Sequence, residues 1–151
     1  MIDIIVNPVA NGKKALKYAA AAEKRLKERG AEYRIHYTNA PKHATEIARE
    51  LSKTSDTIVA LGGDGTINEV FNGIDVEKVK LGLIPCGSGN DFVATANIPA
   101  EAEAAVDLIL DGEAKPTDFM VCGGVRGLNI IGTGIDVDIL KRCRKSKILK
   151  G

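Results

Sequence analysis

The chain has no tryptophan, 4% aromatic residues, and no apolar run approaching the roughly 20 residues a membrane-spanning helix requires. Its N-terminus lacks the basic-then-apolar pattern of a secretory signal. An excess of one charge is missing too. Twenty-one Lys and Arg stand against 20 Asp and Glu, a net charge of +1, and no basic stretch is rich in aromatics, so nothing points to nucleic acid. Cysteine is scarce: Cys86, Cys122 and Cys143 make an odd number, their spacing fits no metal-ligand pattern, and both histidines lie far from them. Reduced thiols follow. These absences lead us to expect a cytoplasmic protein, and they leave a peripheral visit to a membrane surface open.

What is present suits one ordinary domain. The 151 residues are 44% hydrophobic and 27% charged, and a domain of that size buries roughly two-thirds of its unfolded surface. Ile2 to Val6 is short, β-branched and apolar, stopped by Asn7-Pro8, and reads as a buried parallel strand. A helix follows with Ala15, Ala19, Ala22 and Leu26 on one face, ended by Gly30. Tyr33 to Thr38 is a second strand. Pro41 opens a helix presenting Ala44, Ile47, Ala48 and Leu51. Thr57 to Leu61 and Leu81 to Ile84 are further strands, with helices expected from Thr66 to Phe71 and from Pro99 to Leu110. The alternation predicts an α/β fold, a mostly parallel sheet with helices on both faces. Beyond Pro116 the pattern changes. Phe119 to Cys122 and Gly127 to Ile131 read as an antiparallel hairpin around Gly123-Gly124.

Ligands of open parallel sheets bind beyond the carboxyl ends of the strands, and the unusual residues cluster there. Gly62-Gly63-Asp64-Gly65-Thr66 lies directly between a strand and a helix. Three glycines in four positions let the backbone approach a ligand, and the amides of a helix start favour phosphate oxygens. Thr66 can cap that helix or donate to a phosphate. Asp64 would repel a phosphate unless it holds Mg²⁺ or accepts a proton from an attacking hydroxyl. The run is neither GxxxxGK[ST] nor GxGxxG, so the two common nucleotide-loop readings fail. A second glycine loop, Pro85-Cys86-Gly87-Ser88-Gly89-Asn90-Asp91-Phe92, also follows a strand, and there Asn90 and Asp91 can orient the loop or bind ligand hydroxyls. Asn7 to Gly12 occupies the same sheet edge but alone makes an ordinary turn.

At these loops the sequence resembles the diacylglycerol-kinase catalytic family, which includes sphingosine, ceramide and bacterial lipid kinases. The resemblance rests on the strand-NP-x-x-x-G opening, the GGDGT-x-NE run from Gly62 to Glu69, the P-x-GSGNDF run from Pro85 to Phe92, and an N-x-x-G-x-G-x-D segment from Asn129 to Asp136. It implies the nucleotide-binding catalytic lobe of an ATP-dependent lipid kinase over residues 1–151, related in fold to NAD kinases. ATP would be held between this lobe and a β-rich second domain. Asn7 and Thr38 would line the nucleotide site. Gly62, Gly63, Asp64, Gly65, Thr66, Ile67 and Asn68 would wrap the phosphates, with Gly87, Ser88 and Asn90 completing the cradle. Asp64 would be the catalytic carboxylate nearest the chemistry, orienting or deprotonating a lipid hydroxyl, and Glu69 would steady the loop or the nucleotide. Mg²⁺ would neutralise charge, its ligands unassigned.

Members of that family usually run to about twice this length, so the second domain is expected to be absent from these residues. Two alternatives stay open: a catalytically silent nucleotide-binding module, and an NAD-kinase-like enzyme, since NAD kinases share GGDGT. An edge left exposed by a missing domain would favour self-association. The basic tail from Lys141 reads as a solvated face or as an attraction for anionic lipid headgroups. His43 and Cys86 read as structural, and Thr38 and Asp136 as turn residues or ligand contacts.

Overall fold

The computed structural model describes residues 1–132 and 134–145; Thr133, the side chains of Asp136, Leu140 and residues 143–145, and the tail 146–151 lie outside the described residues. The chain divides into Met1–Asp118 and Phe119–Gly151. The first unit holds a four-stranded sheet of order β2-β1-β3-β4, formed by β1 (Ile2–Val6), β2 (Tyr33–Tyr37), β3 (Thr57–Gly62) and β4 (Lys80–Pro85). Every pairing is parallel. The α/β fold expected from the alternation is what the chain adopts.

Between the strands run α1 (Ala10–Lys13), α2 (Ala15–Glu28), α3 (His43–Leu51), α4 (Asp64–Gly73), α5 (Asp91–Thr95) and α6 (Ala102–Asp111). Successive strand residues face opposite sides of a sheet, which divides the core into two layers. Ile4, Val6, Val59, Leu61 and Ile84 pack with Ala19, Ala22 and Leu26 of α2 and Ala105 and Val106 of α6. The alternate residues Ile5, Ile58 and Ala60 are fully buried, and α3 and α4 supply Ala44, Ala48, Ile67, Val70 and Phe71 to the core. The helix pair α2–α6 is pinned by charge as well. Arg25 forks onto Asp107 at 2.9 and 2.8 Å, and Arg29 bonds Asp107 and Asp111, each at 2.6 Å.

Among the described residues one charged group is fully buried. Asp3, in β1, is 0% exposed and accepts bonds from Arg34 (2.8 Å twice) and Ser55 (2.5 Å), with His36 Nε2 at 2.7 Å. Buried charges persist only when paired and hydrogen-bonded, and Asp3 meets both conditions.

The second unit begins with a hairpin of β5 (Met120–Cys122) and β6 (Val125–Gly127), antiparallel with Cys122 opposite Val125. The sequence places the second strand at 127–131; it lies earlier. Gly123 and Gly124 take φ of 57° and 77°, and a two-residue turn with both φ positive returns the chain into pairing at once. The helix α7 (Ile135–Lys145) follows.

Candidate functional site

The register brings the strand ends into line. Val6 is level with Tyr37 and with Leu61, Leu61 with Ile84, and Gly62 with Pro85. The ladder extends one step beyond them: Thr38 N–H donates to the Val6 carbonyl (2.9 Å), Asn7 N–H to Leu61 (3.2 Å), and Cys86 N–H to Gly62 (2.9 Å). Asn7, Thr38, Gly62 and Pro85 therefore form one row at the carboxyl edge, with Cys86 one residue beyond it. The chain leaves β1 for β2 on one side and returns to β3 on the other. Such a switch point opens a crevice, here flanked by Asn7 and the Gly62 loop.

Two glycine contacts build the site. A β-carbon on Gly62 would lie 2.4 Å from Thr66 Cβ, so Thr66 folds directly over the loop. A β-carbon on Gly87 would lie 2.6 Å from Gly63 Cα, so the two glycine loops touch backbone to backbone. Asp64 ties them further. Its two carboxylate oxygens accept the N–H groups of Asn90 (2.9 Å) and Asp91 (3.1 Å). Asn90 then closes its own loop, its Oδ1 accepting Gly87 N–H and its Nδ2 donating to the Gly87 carbonyl, both at 3.0 Å.

Beside these contacts lies the start of α4. A helix leaves its first amides without an intrahelical acceptor; in α4 these belong to Asp64, Gly65 and Thr66. Gly65 and Asp64 are exposed, as are Ser88 and Gly89 in the second loop. Fixed amides at a helix start, with the dipole behind them, form an anion cradle. Asp64 and Asp91 add two carboxylates close together, for oxygens of both lie within 4 Å of where a Gly89 β-carbon would stand. The sequence reading gives Asp91, inside the GSGNDF run, a part in orienting the loop or bonding ligand hydroxyls; its place beside the Asp64 carboxylate is visible only in the structure.

Other predicted residues make contacts within the lobe. Thr66 is 6% exposed, and its hydroxyl accepts the Asn7 amide at 3.1 Å; no side chain caps α4, where Gly63 holds the N-cap. Ile67 is 2% exposed, a core residue whose N–H is spent on the Gly63 carbonyl. Asn7 also accepts Val9 N–H through its Oδ1. Thr38 is buried at the end of β2. Asn68 is exposed and accepts the Asn72 amide, while the Glu69 carbonyl accepts the Thr45 hydroxyl at 2.8 Å. His43 Nδ1 accepts Asn39 N–H. Cys86 is buried, which pushes its thiol upward and suits a space-filler.

A parallel sheet with two glycine loops locked at its switch point defines the class: an α/β lobe with its glycine loops gathered at the carboxyl edge of the sheet. Comparison with known proteins makes this particular. Residues 2–122 match the diacylglycerol kinase catalytic domain, and the chain belongs to that family. It is 37% identical to a diacylglycerol kinase of Bacillus subtilis over 135 residues, covering 87% of this chain and 45% of the relative. Against a diacylglycerol kinase of Staphylococcus epidermidis the identity is 36%, with coverage of 77% and 38%. The crystal structure of a diacylglycerol kinase from Bacillus anthracis superposes with a TM-score of 0.78 at 29% identity, covering 97% of this chain and 51% of that one. The chain thus spans about half the length, or less, of the proteins it matches.

Proposed function

We propose that this chain is the nucleotide-phosphate lobe of an ATP-dependent lipid kinase, one that transfers the γ-phosphoryl group of MgATP to a lipid hydroxyl. The observation that carries this is the brace: Asp64 and the Gly63–Gly87 contact hold two glycine loops as one unit, with the α4 amides beside the Ser88 loop. Phosphoryl transfer asks a protein mainly to position and stabilise charge, and a fixed set of amides does so without reorganising.

Mg²⁺ is commonly held by one or two carboxylates together with substrate phosphates. The convergence of Asp64 and Asp91 at Gly89 fits that mode, and among the described residues no group of three or more ligating side chains competes with it. Bound there, the ion would neutralise phosphate charge. Asp64 itself acts in this proposal chiefly as the brace, because each of its oxygens already accepts a backbone N–H. The family match favours a lipid acceptor over an NAD-kinase-like reaction, and access to that acceptor implies a transient encounter with a membrane surface. Among the described residues no helix is long and apolar enough to cross a membrane.

Calorimetric titration of MgATP into the chain tests the reading, with Gly63→Val alongside. Saturable binding abolished by the variant supports it. A folded wild-type chain that takes up no nucleotide overturns the reading for this lobe, and the silent nucleotide-binding module with it.

A further inference from the structure

We propose that Asn90 is a positioning residue, which sets the direction in which the Ser88 amide faces the nucleotide; the inference rests on the function proposed above. Asn90 stands in the left-handed region at φ 57°. Its backbone N–H is given to Asp64 Oδ2 at 2.9 Å, and its side-chain amide is given to Gly87, Oδ1 taking the N–H and Nδ2 reaching the carbonyl, both at 3.0 Å. These bonds belong to the two peptide groups on either side of Gly87. A peptide group is planar, with its C=O and N–H pointing in opposite directions. By drawing the Gly87 carbonyl inward, Asn90 turns the N–H of the same peptide, that of Ser88, outward.

Glycine is the residue that would otherwise let this peptide flip, since it accepts either sign of φ. Glycine is required at 87 all the same, because its Cα packs on Gly63. The close approach of the two loops thus creates a flexible joint, and the Asn90 amide locks it. Asn90 does not need to touch the ligand for this. Its effect passes through Gly87 to the exposed Ser88 and Gly89.

The test compares Asn90→Gly with wild type. Glycine keeps the left-handed backbone without strain and removes only the amide. Asn97→Gly is the control, since Asn97 is the other left-handed asparagine of this segment (φ 54°) and lies outside the loop contacts. Two quantities are read: hydrogen exchange of the Gly87 amide by NMR without ligand, and MgATP affinity by calorimetry. Loss of two neutral hydrogen bonds should speed Gly87 exchange and weaken MgATP binding, each about tenfold or more, while Asn97→Gly changes neither. Asn90→Ser, able to keep at most one bond, should fall between.

Weakened binding with Gly87 exchange unchanged would make Asn90 a direct ligand contact and overturn the inference. Faster exchange with full affinity would overturn it as well, by showing that the loop's orientation does not matter to the ligand. A wild-type chain that binds no MgATP is a different failure. It removes the nucleotide reading itself, and the positioning role with it.

Discussion

Replacing Asp3 by Asn removes one charge from the buried end of β1 and little else, since the two side chains share shape and size. Burial pushes the Asp3 carboxyl upward, but the bonds from Arg34, Ser55 and His36 outweigh it and hold the group at about 2, against an ordinary 3.8. A carboxyl lowered on folding stabilises the native state above its unfolded value, and that stability is lost as pH falls toward the folded one. The difference corresponds to about 2.5 kcal/mol at neutral pH, of which roughly 1 kcal/mol has gone by about pH 3. Urea denaturation of wild type and Asp3→Asn, run from about pH 7 to about pH 3, reads it directly. The variant should be less stable by about 2 kcal/mol at neutral pH, and the gap should narrow by roughly 1 kcal/mol at the acid end. A gap that stays constant across the range would show that the carboxylate charge is not what holds β1, β2 and the Ser55 turn together.

Other perturbations test the core and the loops. Gly87→Ala puts a methyl 2.6 Å from Gly63 Cα; overpacking of this kind costs about 1–3 kcal/mol, and thermal melting should show the loss together with weaker MgATP binding. Leu26→Ala, at a site 1% exposed between α2 and the sheet, should cost about 2–5 kcal/mol in denaturant unfolding. Gly73→Ala should lower the melting temperature as well, because its β-carbon would meet the Thr45 carbonyl at 2.4 Å and separate α3 from α4. Thr45→Val removes a single bond, to the Glu69 carbonyl, and should cost about 1 kcal/mol or less.

The sheet was legible because β-branched apolar runs such as Ile2–Val6 are bounded by unmistakable loop residues, and because alternation with helices admits few topologies. The glycine loops were legible as motifs, but the division of labour inside them was not. Nothing in GGDGT says that Thr66 faces inward while Asp64 reaches across to Asn90 and Asp91; that depends on which strands are neighbours and on register. Periodicity likewise placed α4 two residues late. Its first turn, Asp64-Gly65, carries no apolar residue, and the helix is started by chain geometry rather than by amphipathic pattern. The second hairpin strand was misplaced because Gly127 to Ile131 is the more apolar stretch, whereas the glycine pair at 123 and 124 decides where pairing begins.

The aligned ends of β1, β3 and β4 have a kinetic consequence. Each pairing joins segments separated by intervening helices, so the contacts that bring the loops together are distant in sequence, and such topologies fold slowly. No fragment with two of the three strands contains both glycine loops and Asn7. Phosphate affinity should therefore emerge in one step with the completed sheet, and MgATP, by binding only that state, should slow its opening. Nucleotide would then act on this lobe as a timer of its lifetime against proteolysis as much as a reactant held in place.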